Sequence, residues 1–175
     1  MAISLRKATI DDSPLIQKWW QDGKLMAAVG FPQGLAVSIE EVQQSLHYYE
    51  EVSGEFLLII DEKGHLIGEF AYKPIEAKGA TFDIKNGELS RQRQGYGKAA
   101  LEKGMQRIAA QNRFNRIEIT VNSTNEPALK LYEKVGFKQS GFLKDHWVNQ
   151  VGERCSTVVM VYELADADNG LNKSN

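Results

Sequence analysis

The segment Asn125–Phe137 reads NEPALKLYEKVGF and carries the densest local signals in the chain. Its apolar side chains recur at i, i+3, i+4 and i+7: Ala128, Leu131, Tyr132 and Val135. This spacing predicts a short helix that holds Tyr132 on its apolar face. Asn125 is suited to the N-cap of that helix, and Gly136 to the left-handed position that ends it. By themselves these features are equally compatible with a core tyrosine and an ordinary capping asparagine.

Upstream, Ser90–Ala100 reads SRQRQGYGKAA and joins a predicted strand to a predicted helix. Gly95 and Gly97 lack Cβ atoms, so the backbone can turn sharply and approach a ligand closely. Backbone N–H groups at a helix start attract anions, and nearby positive charges favour a phosphate or pyrophosphate. Those charges are carried by Arg91, Arg93 and Lys98. The alternative is a tight turn whose cations face water.

Three phosphate-binding motifs compete for this turn. A P-loop is excluded because Gln92 stands where its first glycine belongs and Ala99 where its hydroxyl belongs. The dinucleotide pattern GxGxx[GA] is matched through Ala100, with Glu118 at a plausible distance, although mid-strand, and it stays a rival. The third pattern, [QR]xxGx[GA], is matched by Gln92, Gly95 and Gly97.

Together, the third pattern and the downstream segment resemble the GNAT superfamily of acyl-CoA-dependent N-acyltransferases. Asn125–Phe137 matches the family pattern NxxAxxLYxxxGF at every specified position. The resemblance extends over about Leu5 to Leu164, although Ser90–Phe137 carries the specific residues. The run Lys144–Trp147 and the final hairpin are similar to the subfamily of ribosomal-protein N-terminal and polyamine acetyltransferases.

The resemblance implies acetyl-CoA as cosubstrate and a defined set of coenzyme contacts. The coenzyme-binding residues it implies are Gln92, Arg93, Gln94, Gly95, Tyr96, Gly97, Lys98 and Asn125. It also implies that Tyr132 lies near the thioester sulfur, where a phenol can act as general acid for the departing thiolate.

The base that neutralises the acceptor amine is less clearly indicated. Several family members carry a glutamate on the fifth strand, twelve positions before the tyrosine, but that position is Thr120 here. Glu118 lies two residues earlier and therefore on the same strand face, so it is the first catalytic candidate. Asp83 and Glu88 on the preceding strand are the reserves. The oxyanion would be met by a backbone N–H between Lys85 and Leu89.

Outside these motifs the hydrophobic pattern alternates strands and helices. It predicts an α/β fold with one mixed sheet, about seven strands and about four helices, in the order β-α-α-β-β-β-α-β-α-β-β. Asp11, Asp12 and Ser13 are expected to supply N-cap oxygens to the first helix. Residues 1–164 are expected to form a single N-acetyltransferase domain, with 165–175 as a flexible tail.

Composition bounds the function further. The 175 residues are 42% hydrophobic and 25% charged with a net charge of −2, which does not favour nucleic-acid binding. No apolar run approaches the roughly 20 residues of a membrane span. A lone cysteine, Cys155, indicates the cytoplasm. His47, His65 and His146 lack metal-ligand spacing, so no metal is expected.

The leading prediction is an acetyl-CoA-dependent N-acetyltransferase that moves the acetyl group to a primary amine by direct attack in a ternary complex. The acceptor is an amine-bearing small molecule or a protein N-terminus, and a homodimer stays open. A non-catalytic acyl-CoA-binding module and a dinucleotide-dependent oxidoreductase are the alternatives. In this family the first two helices usually wall the acceptor site; here they carry Trp19, Trp20, Tyr48, Tyr49, Glu40, Glu41, Glu50 and Glu51.

Overall fold

A computed structural model describes residues 2–87 and 95–165. Seven strands form one sheet, and five α-helices cover its two faces. The strands are β1 (Ser4–Lys7), β2 (Glu55–Ile60), β3 (Leu66–Ile75), β4 (Gly79–Asn86), β5 (Arg116–Asn122), β6 (Lys138–Val148) and β7 (Arg154–Glu163). The helices are α1 (Ser13–Gln21), α2 (Gly23–Met26), α3 (Ile39–Glu51), α4 (Tyr96–Ala109) and α5 (Glu126–Val135). The predicted fold class and element order are confirmed, with the four-residue α2 as an addition.

The sheet has the strand order β1-β2-β3-β4-β5-β7-β6. Every neighbouring pair is antiparallel except β4 and β5, which run parallel. This parallel pair is short, with register only at Gly79 opposite Arg116 and Ala80 opposite Ile117. Beyond Ala80 and Ile117 the strands diverge and leave a gap in the sheet. The mostly antiparallel pairing of the described strands excludes the doubly wound sheet that a dinucleotide-binding protein requires.

Each face of the sheet carries its own apolar core. Helices α4 and α5 pack on one face, where Phe70 stacks on Phe82 with ring centroids 4.8 Å apart. Helices α1 and α3 pack on the other face around Ile16, Val42 and Leu58, which are fully buried. The core under α4 and α5 extends to the gap between β4 and β5, where it includes Phe82 and Ile119.

The helix and turn signals are largely confirmed. Ser38 and Glu41 form the expected capping box of α3, with Ser38 N–H donating to Glu41 at 2.7 Å and Glu41 N–H donating to Ser38 Oγ at 3.1 Å. Gly64 takes a φ of +86° in the turn between β2 and β3, and Gly136 takes +112° after α5.

The expected capping of α1 is wrong. Asp11, Asp12 and Ser13 make no side-chain cap hydrogen bond to this helix. The Asp12 carboxylate instead accepts from Thr9 N–H at 2.8 Å and pairs with Arg6 at 2.8 Å. The guanidinium of Arg6 therefore lowers the pKa of Asp12 below its ordinary value. The acidic residue serves the one-turn 3₁₀ helix that precedes α1.

Two sequence predictions fall mainly outside the described residues. The proposed tail, 165–175, is described only at its first residue, and residues 88–94 contain several predicted coenzyme contacts. Within the described ranges, every helix is too short or too polar to cross a lipid bilayer.

The packing of α4 on the sheet generates a stability prediction. A Cβ atom on Gly104 would come 2.3 Å from the ring of Phe70, which is fully buried and stacked on Phe82. We expect Gly104→Val to lower the free energy of unfolding by about 2 kcal/mol and Tm by roughly 4–8 °C. Gly97→Val on the same helix is the control, because a Cβ there meets only Leu131, at 3.9 Å. Calorimetric Tm values that fall equally for both variants would contradict this account.

Candidate active site

The gap between β4 and β5 opens into a cavity of about 630 Å³. It gathers residues from six separate stretches of the sequence. The two strands contribute Phe82, Asp83, Ile84, Lys85, Asn86, Ile119, Thr120, Val121 and Asn122. The starts of α4 and α5 contribute Gly95, Gly97, Lys98, Asn125, Pro127, Ala128, Leu131 and Tyr132. The remaining wall consists of Leu25, Ala28, Val29, Trp147 and Thr157.

The described end of the predicted glycine turn lines this cavity. Gly95 is the N-cap of α4 with a φ of +82°, a conformation that favours glycine. At Gly97 a Cβ atom would contact only Leu131 among the described residues, at 3.9 Å. Lys98 also lines the cavity and lies 3.7 Å from Glu102, one turn along. The start of a 14-residue helix and the Lys98 cation thus both lie at the cavity, an arrangement that suits an anionic ligand.

The sequence predicts four other coenzyme contacts in this turn. Gln92, Arg93 and Gln94 lie outside the described residues. The side chain of Tyr96 turns into the core instead, and its hydroxyl donates to Glu62 at 3.1 Å. Of this turn, the described residues that line the cavity are Gly95, Gly97 and Lys98.

Asn125 both caps α5 and lines the cavity. Its Oδ1 accepts from Ala128 N–H at 3.4 Å, and its amide donates to the carbonyl of Ala28 at 3.4 Å. The second bond ties the start of α5 to the segment after α2. The capping role expected from the sequence is present, and the same side chain also borders the ligand space.

Tyr132 points from α5 toward the gap. The residue is 9% exposed, and its ring packs edge-on against Phe82 and Phe137 with centroids 6.0 Å and 5.6 Å away. Burial, with the charge of Asp83 as a lesser cause, raises the pKa of the Tyr132 hydroxyl above its ordinary value. The phenol therefore keeps its proton at neutral pH. Within the described part of the chain, that hydroxyl has no hydrogen-bond partner in the protein, which leaves it available to a ligand.

The backbone of β4 also presents donors to the gap. Gly87, just past the strand, donates its N–H to the carbonyl of Ile67 on β3 at 2.7 Å. Because N–H directions alternate along a strand, the N–H groups of Ile84 and Asn86 point the other way, toward β5. No register with β5 exists at that level. Asn86 falls within the stretch from which the sequence predicts an oxyanion donor.

Of the three carboxylates proposed as base, Glu88 lies outside the described residues, and the other two occupy different positions. Asp83 lines the cavity that Tyr132 faces. Glu118 follows Ile117, the last residue of β5 that pairs with β4, and is not part of the cavity wall. Its carboxylate is 3.7 Å from Arg116. Thr120, two residues further along β5, does line the cavity. The structure therefore brings Asp83, and not Glu118, to the site.

Sequence reasoning missed the wall formed by the segment after α2 and by β6. A Cβ atom on Gly30 would come 2.1 Å from the ring of Trp147, so this glycine, with a φ of +99°, allows the two to meet. The glycines and proline of the segment GFPQG, residues 30–34, were the available signal. They indicate an irregular loop, but not the strand it contacts.

A second cavity of about 510 Å³ lies between α3 and the sheet. Its wall is mostly aromatic: Trp20, Tyr48, Tyr49 and Phe56, with Ala71 and the polar residues Glu41, Gln44, Ser45 and Lys85. Four residues that the sequence assigned to the acceptor wall are therefore present: Trp20, Tyr48, Tyr49 and Glu41. Trp19 is buried in the core below α1. Lys85 lines both cavities.

Metal and thiol chemistry have no visible basis in the described ranges. No group of three or more His, Cys, Asp or Glu side chains is close enough there to hold a metal ion. Cys155 is partly buried on β7, and its thiol lies near the backbone carbonyl of Glu153.

Comparison with known proteins gives a consistent family match. The family described as acetyltransferase (GNAT) domain matches residues 5–154. The uncharacterized N-acetyltransferase p20 of Bacillus licheniformis is 24% identical over 151 residues, covering 82% of this chain and 83% of that protein.

Solved structures share the fold at low sequence identity. Spermidine N-acetyltransferase from Vibrio cholerae, in complex with CoA and spermine, has a TM-score of 0.81 and 19% identity and covers 92% of this chain and 95% of its own. Ribosomal-protein-alanine N-acetyltransferase from Brucella melitensis has a TM-score of 0.77 and 18% identity, with coverage of 92% and 99%.

Proposed function

The chain belongs to the acetyltransferase (GNAT) domain family, and from this premise we propose that it transfers the acetyl group of acetyl-CoA to a primary amine by direct attack in a ternary complex. One observation carries the proposal. The start of α4, the Tyr132 hydroxyl and the Asp83 carboxylate all border the same cavity at the gap between β4 and β5. An anion site, a proton donor and an amine-binding carboxylate are what acyl transfer to an amine requires.

The residues at the start of α4 suit the pyrophosphate of the coenzyme. The helix N-terminus and Lys98 offer positive charge, and Gly97 leaves the backbone open to close approach. Asn125 supports the same role from α5, since its side chain borders the cavity. Bound acetyl-CoA would supply the activated acetyl group, and these residues hold and orient it.

The N–H groups of β4 that point toward β5 stabilise the negative charge that develops on the acetyl carbonyl oxygen during attack. Asn86 is the donor we favour, because its N–H faces the gap and its residue lines the cavity. A donor fixed in a sheet needs little reorganisation at the moment of reaction, which is why backbone groups serve well in this role.

Tyr132 then donates its proton to the departing thiolate, and the proton that the attacking nitrogen loses restores the phenol. Its raised pKa keeps the proton on the phenol, and its ring is held by Phe82 and Phe137 on both sides. This side chain also favours an enzyme over the alternative of a non-catalytic acyl-CoA-binding module, because a binding module has no use for a proton donor there. Release of free thiol in the presence of amines separates the two.

Asp83 receives the acceptor amine. An amine with a pKa near 10 is protonated at neutral pH, so it needs a carboxylate that binds the ammonium and passes its proton to water. Asp83 borders the cavity directly, whereas Glu118 is engaged by Arg116 outside it. The position of Asp83 makes it the stronger candidate of the two.

Coenzyme binding is tested at Gly97. In Gly97→Val a branched side chain occupies space that phosphate oxygens approach, so we expect acetyl-CoA affinity to fall at least tenfold, about 1.4 kcal/mol. Isothermal calorimetry with acetyl-CoA measures this. Ala110→Val adds the same group at the opposite end of α4 and should leave affinity unchanged. An unaltered Kd in a folded Gly97→Val variant would exclude this coenzyme site.

Proton donation is tested at Tyr132. Tyr132→Phe removes a hydroxyl that has no protein partner within the described residues, so the fold should persist. We expect the turnover rate to fall 10²- to 10⁴-fold, roughly 3–5 kcal/mol of barrier, with coenzyme affinity nearly constant. Tyr162→Phe, in the same core but outside the cavity wall, is the control. Turnover within threefold of the parent would make Tyr132 a packing residue.

The choice of carboxylate is tested by two neutral variants. Asp83→Asn should lower kcat/KM about 10²-fold at neutral pH, because the amine then lacks its anionic partner. Glu118→Gln should stay within threefold. Rates come from thiol release at saturating acetyl-CoA. The reverse order of effects would transfer the role to Glu118.

A further inference from the structure

Glu69 is an acidic residue deep between the sheet and α1. It is 1% exposed, and its carboxylate accepts from Trp20 Nε1 at 3.0 Å and from Lys85 Nζ at 3.0 Å. Burying a carboxylate is costly, and a buried ion pair is often no more stable than apolar side chains of the same size. Stability alone therefore does not account for this pair. Its geometric consequence is that the ammonium group of a residue that lines both cavities is held in place.

Lys85 is well suited to contact a ligand from that position. Its side chain retains 23% exposure, and its Nζ lies 5.8 Å from the Trp20 ring centroid. Burial disfavours its charged form, but the carboxylates of Glu69 and Asp83 outweigh this effect and raise the pKa of the ammonium. Among the described residues Glu69 accepts its one hydrogen bond, and an ammonium has three donors.

The described wall of the second cavity offers little negative charge to a cationic acceptor. Glu41 supplies the carboxylate of its described wall, and that group already accepts the N–H of Ser38 in the capping box. Glu50, which the sequence placed near the acceptor, pairs with Lys7 at 2.7 Å instead. Aromatic rings and one lysine dominate the remaining wall, a combination that suits an apolar group next to an anion.

Resting on the proposed function, we infer that the acceptor is a primary amine that also carries a carboxylate, of the kind found in an α-amino acid with an apolar or aromatic side chain. Lys85 binds the carboxylate, Asp83 receives the amine, and the second cavity holds the side chain. Asp83 and Lys85 are two residues apart on the same face of β4, about 7 Å along the strand. Opposite charges at that spacing complement a zwitterion.

Matched acceptors that differ by one carboxylate test this inference. The parent protein is assayed for thiol release with L-phenylalanine and 2-phenylethylamine, with L-leucine and 3-methylbutylamine, and with spermidine. A charge-assisted hydrogen bond is worth about ten- to a hundredfold. We expect kcat/KM for each amino acid to exceed that for its decarboxylated partner at least tenfold, and to exceed that for spermidine.

Variants assign the preference to Lys85. Because Lys85→Gln alone leaves Glu69 buried without a partner, the double variant Glu69→Gln/Lys85→Gln keeps a neutral hydrogen-bonded pair and is the safer replacement. In this double variant the ratio of kcat/KM for the amino acid to kcat/KM for its decarboxylated partner should fall to threefold or less. Lys85→Arg keeps the charge and should retain most of the preference. Lys78→Gln removes an exposed lysine in the β3–β4 turn and should leave the ratio unchanged.

The outcomes separate this inference from the proposed function. Failure to bind acetyl-CoA in calorimetry removes the proposed function and this inference together. Coenzyme binding with turnover of spermidine or of the decarboxylated amines, at rates equal to or above those of the amino acids, overturns this inference alone. The inference is also overturned if the double variant loses kcat/KM equally for an amino acid and for its decarboxylated partner, since Lys85 would then act without recognising the carboxylate.

Discussion

The short pairing between β4 and β5 is the constraint on which the rest of the site depends. The two strands share register only at their first residues, through Ala80 and Ile117, and then separate. Unpaired N–H groups in a buried region are costly unless something satisfies them. A sheet that opens inside its own core therefore provides both a cavity and donors directed into it. The acyl-transfer chemistry that we propose uses both the cavity and the donors. The two helices that border the cavity, α4 and α5, begin at this gap.

Packing on one side of the sheet gives the gap its chemical character. Phe82, Tyr132 and Phe137 form an aromatic cluster with centroids about 6 Å apart, which holds α5 at the edge of the opening. Gly136 ends the helix so that Phe137 can enter the cluster. The same contacts that stabilise the core thereby hold Tyr132 at the cavity wall, and burial raises the pKa of its hydroxyl so that it keeps its proton. Core and site share residues here, so their substitution needs controls for folding.

The face of the sheet that α1 and α3 cover contains a buried ion pair. There a buried carboxylate, Glu69, is compensated by Lys85 and Trp20 rather than replaced by an apolar residue. Such an arrangement contributes little net stability but fixes a charge at a defined position. Its location between an aromatic cavity and the gap is what makes acceptor recognition a reasonable use of that charge.

The sequence alone determined the features that depend on neighbours along the chain. The α3 capping box, the glycine-ended turns, the helix that carries Tyr132 and the family pattern are local, and all could be recognised from spacing. Period-two alternation also placed Asp83 and Glu118 on strands. Only the tertiary structure shows that Asp83 lines the cavity and that Glu118 does not, since the point where β4 and β5 separate depends on pairing across the sheet. For the same reason the side-chain contacts of Lys85 and Trp147 were not predicted: their partners Glu69 and Gly30 are remote in sequence, and a contact between remote residues produces no periodic pattern.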